Sequence, residues 1–251
     1  MRVVTAAQIA RLEARDGERI IHYELNDAAQ SVTSDAILVG VGRAPNLEGL
    51  GLKRVGVAFD KMAGVQVNDR LQTTNPRIYA AGDICMKWKF THAADFAARI
   101  VIQNALFLGR KKLSALNMPW CTYTEPEIGH VGLYESEAKE RGLAVDTYTR
   151  HLREVDRCIA EGETEGFVRI HTRRGTDEIL GATIVAPRAG DLISEISVAM
   201  AGRLGLGKLA NVIHPYPTHA EALRQCGDAY NRTRLTLFVK KLMNRWLAWL
   251  R

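Results

Sequence analysis

Ile78-Tyr79-Ala80-Ala81-Gly82-Asp83, with Lys89-Phe90-Thr91-His92-Ala93-Ala94 just after it, is the stretch on which the reading of this chain turns. An apolar run ends in two small residues, a glycine and a carboxylate. A parallel strand delivers its last residues to the carboxyl edge of an open α/β sheet, where ligands bind. On that reading Gly82 permits close approach to the backbone, and Asp83 accepts hydrogen bonds from a polyol or ribose. A helix is predicted over 93–108, its N-terminal amides facing the same crevice. Taken alone, the motif is equally a strand end with a turn aspartate.

The chain has 251 residues, enough for one large or two ordinary domains. Hydrophobic residues make up 47% and charged residues 25%, a globular balance with material for a sizeable core. A net charge of +6 favours anionic partners, but the charges are scattered, which argues against nucleic acid. Cys85, Cys121, Cys158 and Cys226 are too far apart in sequence for a CxxC pair or zinc knuckle, so no metal site is expected. That usage fits a reducing cytoplasm, and no apolar run reaches the length of a membrane span.

Upstream, strands are predicted over 3–12 and 19–25 around the turn Asp16-Gly17, as an antiparallel hairpin. Ala36-Ile37-Leu38-Val39 reads as a buried strand within 34–41, followed by the loop Gly40-Val41-Gly42-Arg43-Ala44-Pro45-Asn46. Gly42 and Arg43 are candidate nucleotide contacts, although GxGxxP without a following helix is also a tight turn. Short strands are expected at 56–57 and 64–68, and a turn at Thr73-Thr74-Asn75-Pro76 feeds the strand into Asp83.

The order "DAILVGVGRAPN", "GVQVNDRLQTTNPRIYAAGD", "KFTHAADFAARIVIQNALF", then "MPWCTYTEPEIGHVGLYESEAKERG" and "HPYPTHAEAL", resembles the lower half of the pyridine nucleotide–disulfide oxidoreductases, nearest their mercuric-reductase-like branch. The resemblance covers nearly the whole chain. It implies the C-terminal end of an NAD(P)-binding domain over 1–40, the C-terminal segment of an FAD-binding domain over 41–116 and a dimerisation domain over 117–251. The fold class is therefore α/β plus α+β: a partial two-dinucleotide fold followed by an α+β domain with an antiparallel sheet. The cofactors implied are FAD and NAD(P)H, with Gly82 and Asp83 at the ribityl chain and Thr91, His92 and Ala93 beside the flavin ring. His92 is also readable as a helix-start residue without chemistry. No GxGxxG or CxxxxC occurs in the 251 residues, so the chain is expected to be the C-terminal portion of a longer enzyme.

In the second domain, strands are predicted over 122–124, 128–132, 145–150, 166–172 and 179–185. Helices are predicted over 135–141, closed by Gly142, and over 190–203. The resemblance implies a homodimer in which His-Pro-Thr-x-x-Glu supplies an acid–base histidine to the partner's flavin site. Alignment on Pro217-Thr218 and Glu221 puts Tyr216 at the histidine position. A phenol near pKa 10 is a poor acid–base group at neutral pH but a competent hydrogen-bond donor. His214 and His219 are alternative candidates for proton transfer. The acceptor implied is a small disulfide or a soft metal ion. The vicinal cysteine pair near the C-terminus of mercuric reductases is absent, and Cys226 reads as a buried helix residue.

Over 232–251, Leu235, Phe238, Val239, Leu242, Trp246 and Trp249 form a helical stripe opposite Arg and Lys. This is read as packing on its own domain or the dimer partner in preference to a membrane surface. Two alternatives to a reductase portion stand: a dimerisation module that holds no flavin, and a peripheral membrane-binding protein.

Overall fold

The computed structural model describes residues 1–250, in two units that meet in sequence at Asn46 and Leu47. The first unit is a three-stranded antiparallel meander, β1 (Gln8–Arg15), β2 (Glu18–Leu25) and β3 (Ala28–Ser34), in that order. Asp16 and Gly17 have φ of 50° and 87°, and Asn26 and Asp27 have φ of 51° and 60°. Both two-residue loops thus take the positive-φ pair that matches strand twist. The expected hairpin is present, and the Asn26-Asp27 turn extends it by a strand that the unpatterned sequence of β3 conceals.

The expected buried strand at 34–41 does not form: 36–41 lies outside regular structure, with Leu38 98% and Val39 67% exposed. A parallel strand needs neighbours along its edges, and no described strand pairs with this run.

The second unit begins with the two-residue ladder of β4 (Phe59–Asp60) and β5 (Gly64–Val65). The predicted parallel strand into Asp83 is replaced by a loop with one isolated bridge, Gln72 to Tyr79. Its backbone is satisfied locally: Thr73 N donates to Ile78 O at 2.9 Å and Ala80 N to Leu71 O at 3.1 Å. Helix α1 spans Thr91–Leu106, beginning two residues earlier than predicted. Ala93, Ala97 and Ile100, spaced i, i+4 and i+7, bury its inner stripe against Leu71 and Met86. It ends where the amides of Phe107 and Gly109 both turn back to Gln103 O, at 3.2 and 3.0 Å.

The main core lies under a five-stranded antiparallel sheet ordered β6 (Trp120–Thr122), β7 (Glu127–Gly132), β10 (Ile179–Ala186), β9 (Phe167–Arg173), β8 (Val145–His151). Val131, Ala182 and Ile170 stand opposite one another across three strands, so they share one face, and all are fully buried. Helix α4 (Ala189–Ala201) covers that face over β7 and β10 with Ile193 and Ile196, and α6 (Glu221–Thr233) covers it over β8 and β9 with Leu223 and Cys226. Cys226 is a buried helix residue, as expected. The short α2 (Glu135–Glu140) is followed by Gly142 in the left-handed region at φ 69°. Helices α3 (Asp156–Glu161) and α5 (Leu206–Leu209) are connectors.

Of the two packings expected for the C-terminal stripe, the one on its own domain does not form. The chain leaves α6 at Arg234, and Thr236 caps a separate helix α7 (Leu237–Trp249), accepting from Val239 N at 3.3 Å. No side chain of α7 is buried. The covered face of the sheet is already filled by α4 and α6, so packing on its own domain is not what this helix does. No described helix is long and apolar enough to cross a membrane.

Candidate active-site segment and cofactor cradle

The Gly82-Asp83 turn and the start of α1 lie against each other. Gly82 has φ 83°, and a Cβ there would sit 3.1 Å from Ala94 Cβ. Gly82 O accepts from Cys85 N at 3.1 Å and Met86 N at 3.0 Å, which closes the turn. No side chain caps α1, whose N-cap position is Phe90, so the amides of its first turn depend on acceptors from outside the helix. A glycine cradle, a carboxylate and an uncapped helix start side by side fit the polyol chain of a flavin and the carbonyl-bearing ring edge that gathers negative charge on reduction. Asp83, Thr91 and Ala93 would hold them.

His92 is more committed. Its Nε2 donates to Pro119 O at 2.8 Å, and its ring stacks on Phe90 at 5.3 Å between centroids. It borders a cavity of about 760 Å³ with Trp120, Cys121 and Val198. Gly42 and Arg43 belong to the first unit, where Gly42 has φ 102° in open space.

The segment 213–221 carries the other candidates, and His214, Tyr216 and His219 each meet a carboxylate from elsewhere in the fold. His214 Nε2 lies 2.9 Å from Glu195 Oε1 on α4, and His214 Nδ1 lies 2.9 Å from Val212 O. Both ring nitrogens thus face oxygen atoms, one of a carboxyl group and one of the backbone. Tyr216 Oη donates to Asp156 Oδ2 at 2.9 Å. His219 Nε2 lies 2.8 Å from Glu161 Oε2, while Arg157 Nε donates to Glu161 Oε1 at 2.6 Å. Asp156 and Glu161 are the two ends of α3. They and Glu195 lie 19 to 60 residues from their partners, and the sequence carries no local signal for them.

These carboxylates set the electrostatics. The hydrogen bond from Tyr216 to Asp156 raises the phenol above its ordinary value, so Tyr216 is a protonated donor at neutral pH. The Arg157 bond, with help from His219, lowers Glu161. The carboxylate that meets the Tyr216 hydroxyl is Asp156 and not Glu221 of the same segment. Glu221 Oε1 accepts from Arg224 Nη2 at 2.9 Å, and its Oε2 is buried without a partner.

The thiols are quiet. Burial pushes Cys85 up to about 11 and Cys226 up to about 12, and it also raises Cys121 and Cys158. A redox nucleophile needs a lowered thiol pKa, and none of the four has one. No group of three or more metal-ligating side chains occurs among the described residues.

Comparison with known proteins decides the family. The model described as pyridine nucleotide-disulphide oxidoreductase matches residues 1–98, and that of the same family's dimerisation domain matches residues 118–226. The chain belongs to the pyridine nucleotide–disulphide oxidoreductases. A mercuric reductase of Staphylococcus aureus is 36% identical over 232 residues, which cover 92% of this chain and 42% of the relative. A dihydrolipoyl dehydrogenase of Thermus scotoductus is 34% identical, covering 88% of this chain and 50% of the relative. Among solved structures, LpdA from Mycobacterium tuberculosis superposes with a TM-score of 0.82 at 28% identity, over 89% of this chain and 48% of that one. The chain thus spans about half the length of the curated relatives it matches. This oxidoreductase family depends on FAD and NAD(P)H. The matched dimerisation domain ends at residue 226, so α7 lies beyond it.

Proposed function

We propose that the chain supplies the C-terminal part of an FAD- and NAD(P)H-dependent oxidoreductase that delivers electrons to a disulfide or a soft metal ion, acting as a cytoplasmic homodimer. The observation that carries this reading is the cradle made by Gly82, Asp83 and the start of α1 in the same unit as a dimerisation sheet bearing the tyrosine-containing segment. FAD, when bound, accepts a hydride from NAD(P)H and passes an electron pair to the acceptor. Asp83 accepts from the ribityl hydroxyls, and the amides of Thr91 to Ala93 stabilise negative charge at the ring edge. Tyr216 reaches toward the partner subunit's site with its hydroxyl held by Asp156; its one proton passes to the acceptor only by turning away from that carboxylate, and His214 or His219 is available to move protons. The raised thiols support a redox pair from outside these residues.

Two measurements test this. Purified chain should bind FAD weakly, because the dinucleotide-binding βαβ half is absent from these residues, whereas fusion to the N-terminal half of a mercuric reductase should give a stoichiometrically yellow protein. A folded but colourless fusion removes the flavin assignment. Sedimentation of the chain at tens of micromolar, roughly the range where an obligate interface is populated, should show a dimer of twofold symmetry; monomer alone counts against the homodimer.

The reading of the chain as a dimerisation module without flavin is favoured by one fact, the absence of any GxGxxG in its 251 residues. A stoichiometric flavin spectrum from the chain itself would exclude it.

A further inference from the structure

We propose that α7 is a docking surface for an anionic lipid membrane, holding the protein at the bilayer face by partial insertion. The proposal is independent of the redox reading. It rests on how α7 divides its side chains and on the fact that its own domain buries none of them.

At about 3.6 residues per turn, Phe238, Val239, Leu242, Met243, Trp246, Trp249 and Leu250 fall on one side of the helix. Lys240, Lys241, Asn244 and Arg245 fall on the other. The apolar side is open: Phe238 is 74%, Leu242 57%, Trp246 56% and Trp249 79% exposed. The charges of the other side are all cationic, with Leu237, Asn244, Leu247 and Ala248 set among them. From Ala229 to Arg251 the sequence contains no Asp or Glu, against Arg232, Arg234, Lys240, Lys241, Arg245 and Arg251.

Three occupants compete for such a face. Its own core is excluded by the exposure just described. A second copy of α7 would satisfy the apolar side but would bring two cationic helices together with no acid between them to offset the repulsion. A lipid surface satisfies both sides at once. The apolar face enters the acyl boundary, the two tryptophans sit at headgroup depth, and the lysines and arginines meet anionic headgroups. Nucleic acid would use the charge but leave the apolar face in water. A helix of 13 residues is too short to span a bilayer, so it lies in the plane of the interface.

The test is co-sedimentation of the whole chain with vesicles of phosphatidylcholine, with and without phosphatidylglycerol, alongside tryptophan emission. Binding is expected to the doped vesicles, with a blue shift in emission, and to weaken as salt rises. Each basic residue at such a surface contributes roughly fivefold in partition, so Lys240→Gln with Lys241→Gln should lower binding about 25-fold. These two side chains are exposed on the polar side, and circular dichroism confirms that the variant is folded. Trp246→Asp should abolish the emission shift. Protein that stays in the supernatant with doped vesicles overturns the proposal. So does binding that is indifferent to salt and to the double Gln change. A Leu242→Asp change that dissociates an oligomer in the absence of vesicles assigns the face to a second copy and likewise overturns it.

Discussion

Gly181→Ala should destabilise the dimerisation sheet by about 3 kcal/mol or more, an effect in the range reserved for direct steric conflict. Gly181 is opposite Gly132 in the pairing of β10 with β7. A Cβ at Gly181 would lie 2.2 Å from Leu133 O and 2.5 Å from Leu133 N. Both are backbone atoms, and Leu133 N donates to Leu180 O at 2.9 Å at the same place, so neither strand can yield without breaking the ladder. Gly142→Ala is the control. It too is a glycine in the second domain, with φ 69°, but nothing lies within 4 Å of its added carbon. Its cost is backbone strain alone, roughly 1 kcal/mol. Urea unfolding followed by circular dichroism separates the two, provided the slope is unchanged. Equal midpoint shifts for both variants would show that the strands part easily and that the close approach is not rigid.

Tyr216→Phe is expected to lower turnover of the assembled oxidoreductase roughly 10-fold to 100-fold, the effect of losing one hydrogen bond to reacting groups. Reduction by NAD(P)H, measured separately by stopped flow, should be unchanged. Wild-type turnover in the acceptor half-reaction would remove Tyr216 from the site and leave His214 or His219. Asp156→Asn tests the positioning within this chain. The Asp156 carboxylate favours the protonated phenol, so the folded pKa lies above the unfolded value near 10. The stabilisation from this bond is therefore complete below pH 10 and is lost as pH rises through the raised value. In Asp156→Asn the tyrosinate signal assigned to Tyr216, by difference from Tyr216→Phe, should appear at lower pH. An unmoved midpoint would show that Asp156 does not govern this hydroxyl.

The antiparallel domain was legible because its signals are local. Alternating apolar positions mark β9 and β10, Gly142 marks the end of α2, and the stripe through Ile193, Ile196 and Met200 marks α4. The strands read at 34–41 and before Asp83 were not realised, for one reason. A buried parallel strand is defined by its neighbours, and Ala36 to Val39 and Ile78 to Ala81 have none among the described strands. The candidate segment 213–221 stood out by composition. Its anchors did not: Asp156, Glu161 and Glu195 look like ordinary helix-surface acids, and only the folded chain brings them to Tyr216, His219 and His214. The helical stripe of α7 was visible too, but periodicity reports that a face is apolar and not what covers it.

The anchoring of 213–221 from α3 and α4 bears on how this region tolerates change. A segment that held its own shape through internal bonds would shift whenever one of its side chains was exchanged. Here the fixed points sit on separate helices, and a carboxylate accepts a hydrogen bond from a phenol or an imidazole alike. Position 216 can therefore pass between histidine and tyrosine, exchanging a proton donor of one strength for another, while the path of the backbone stays where α3 and α4 put it.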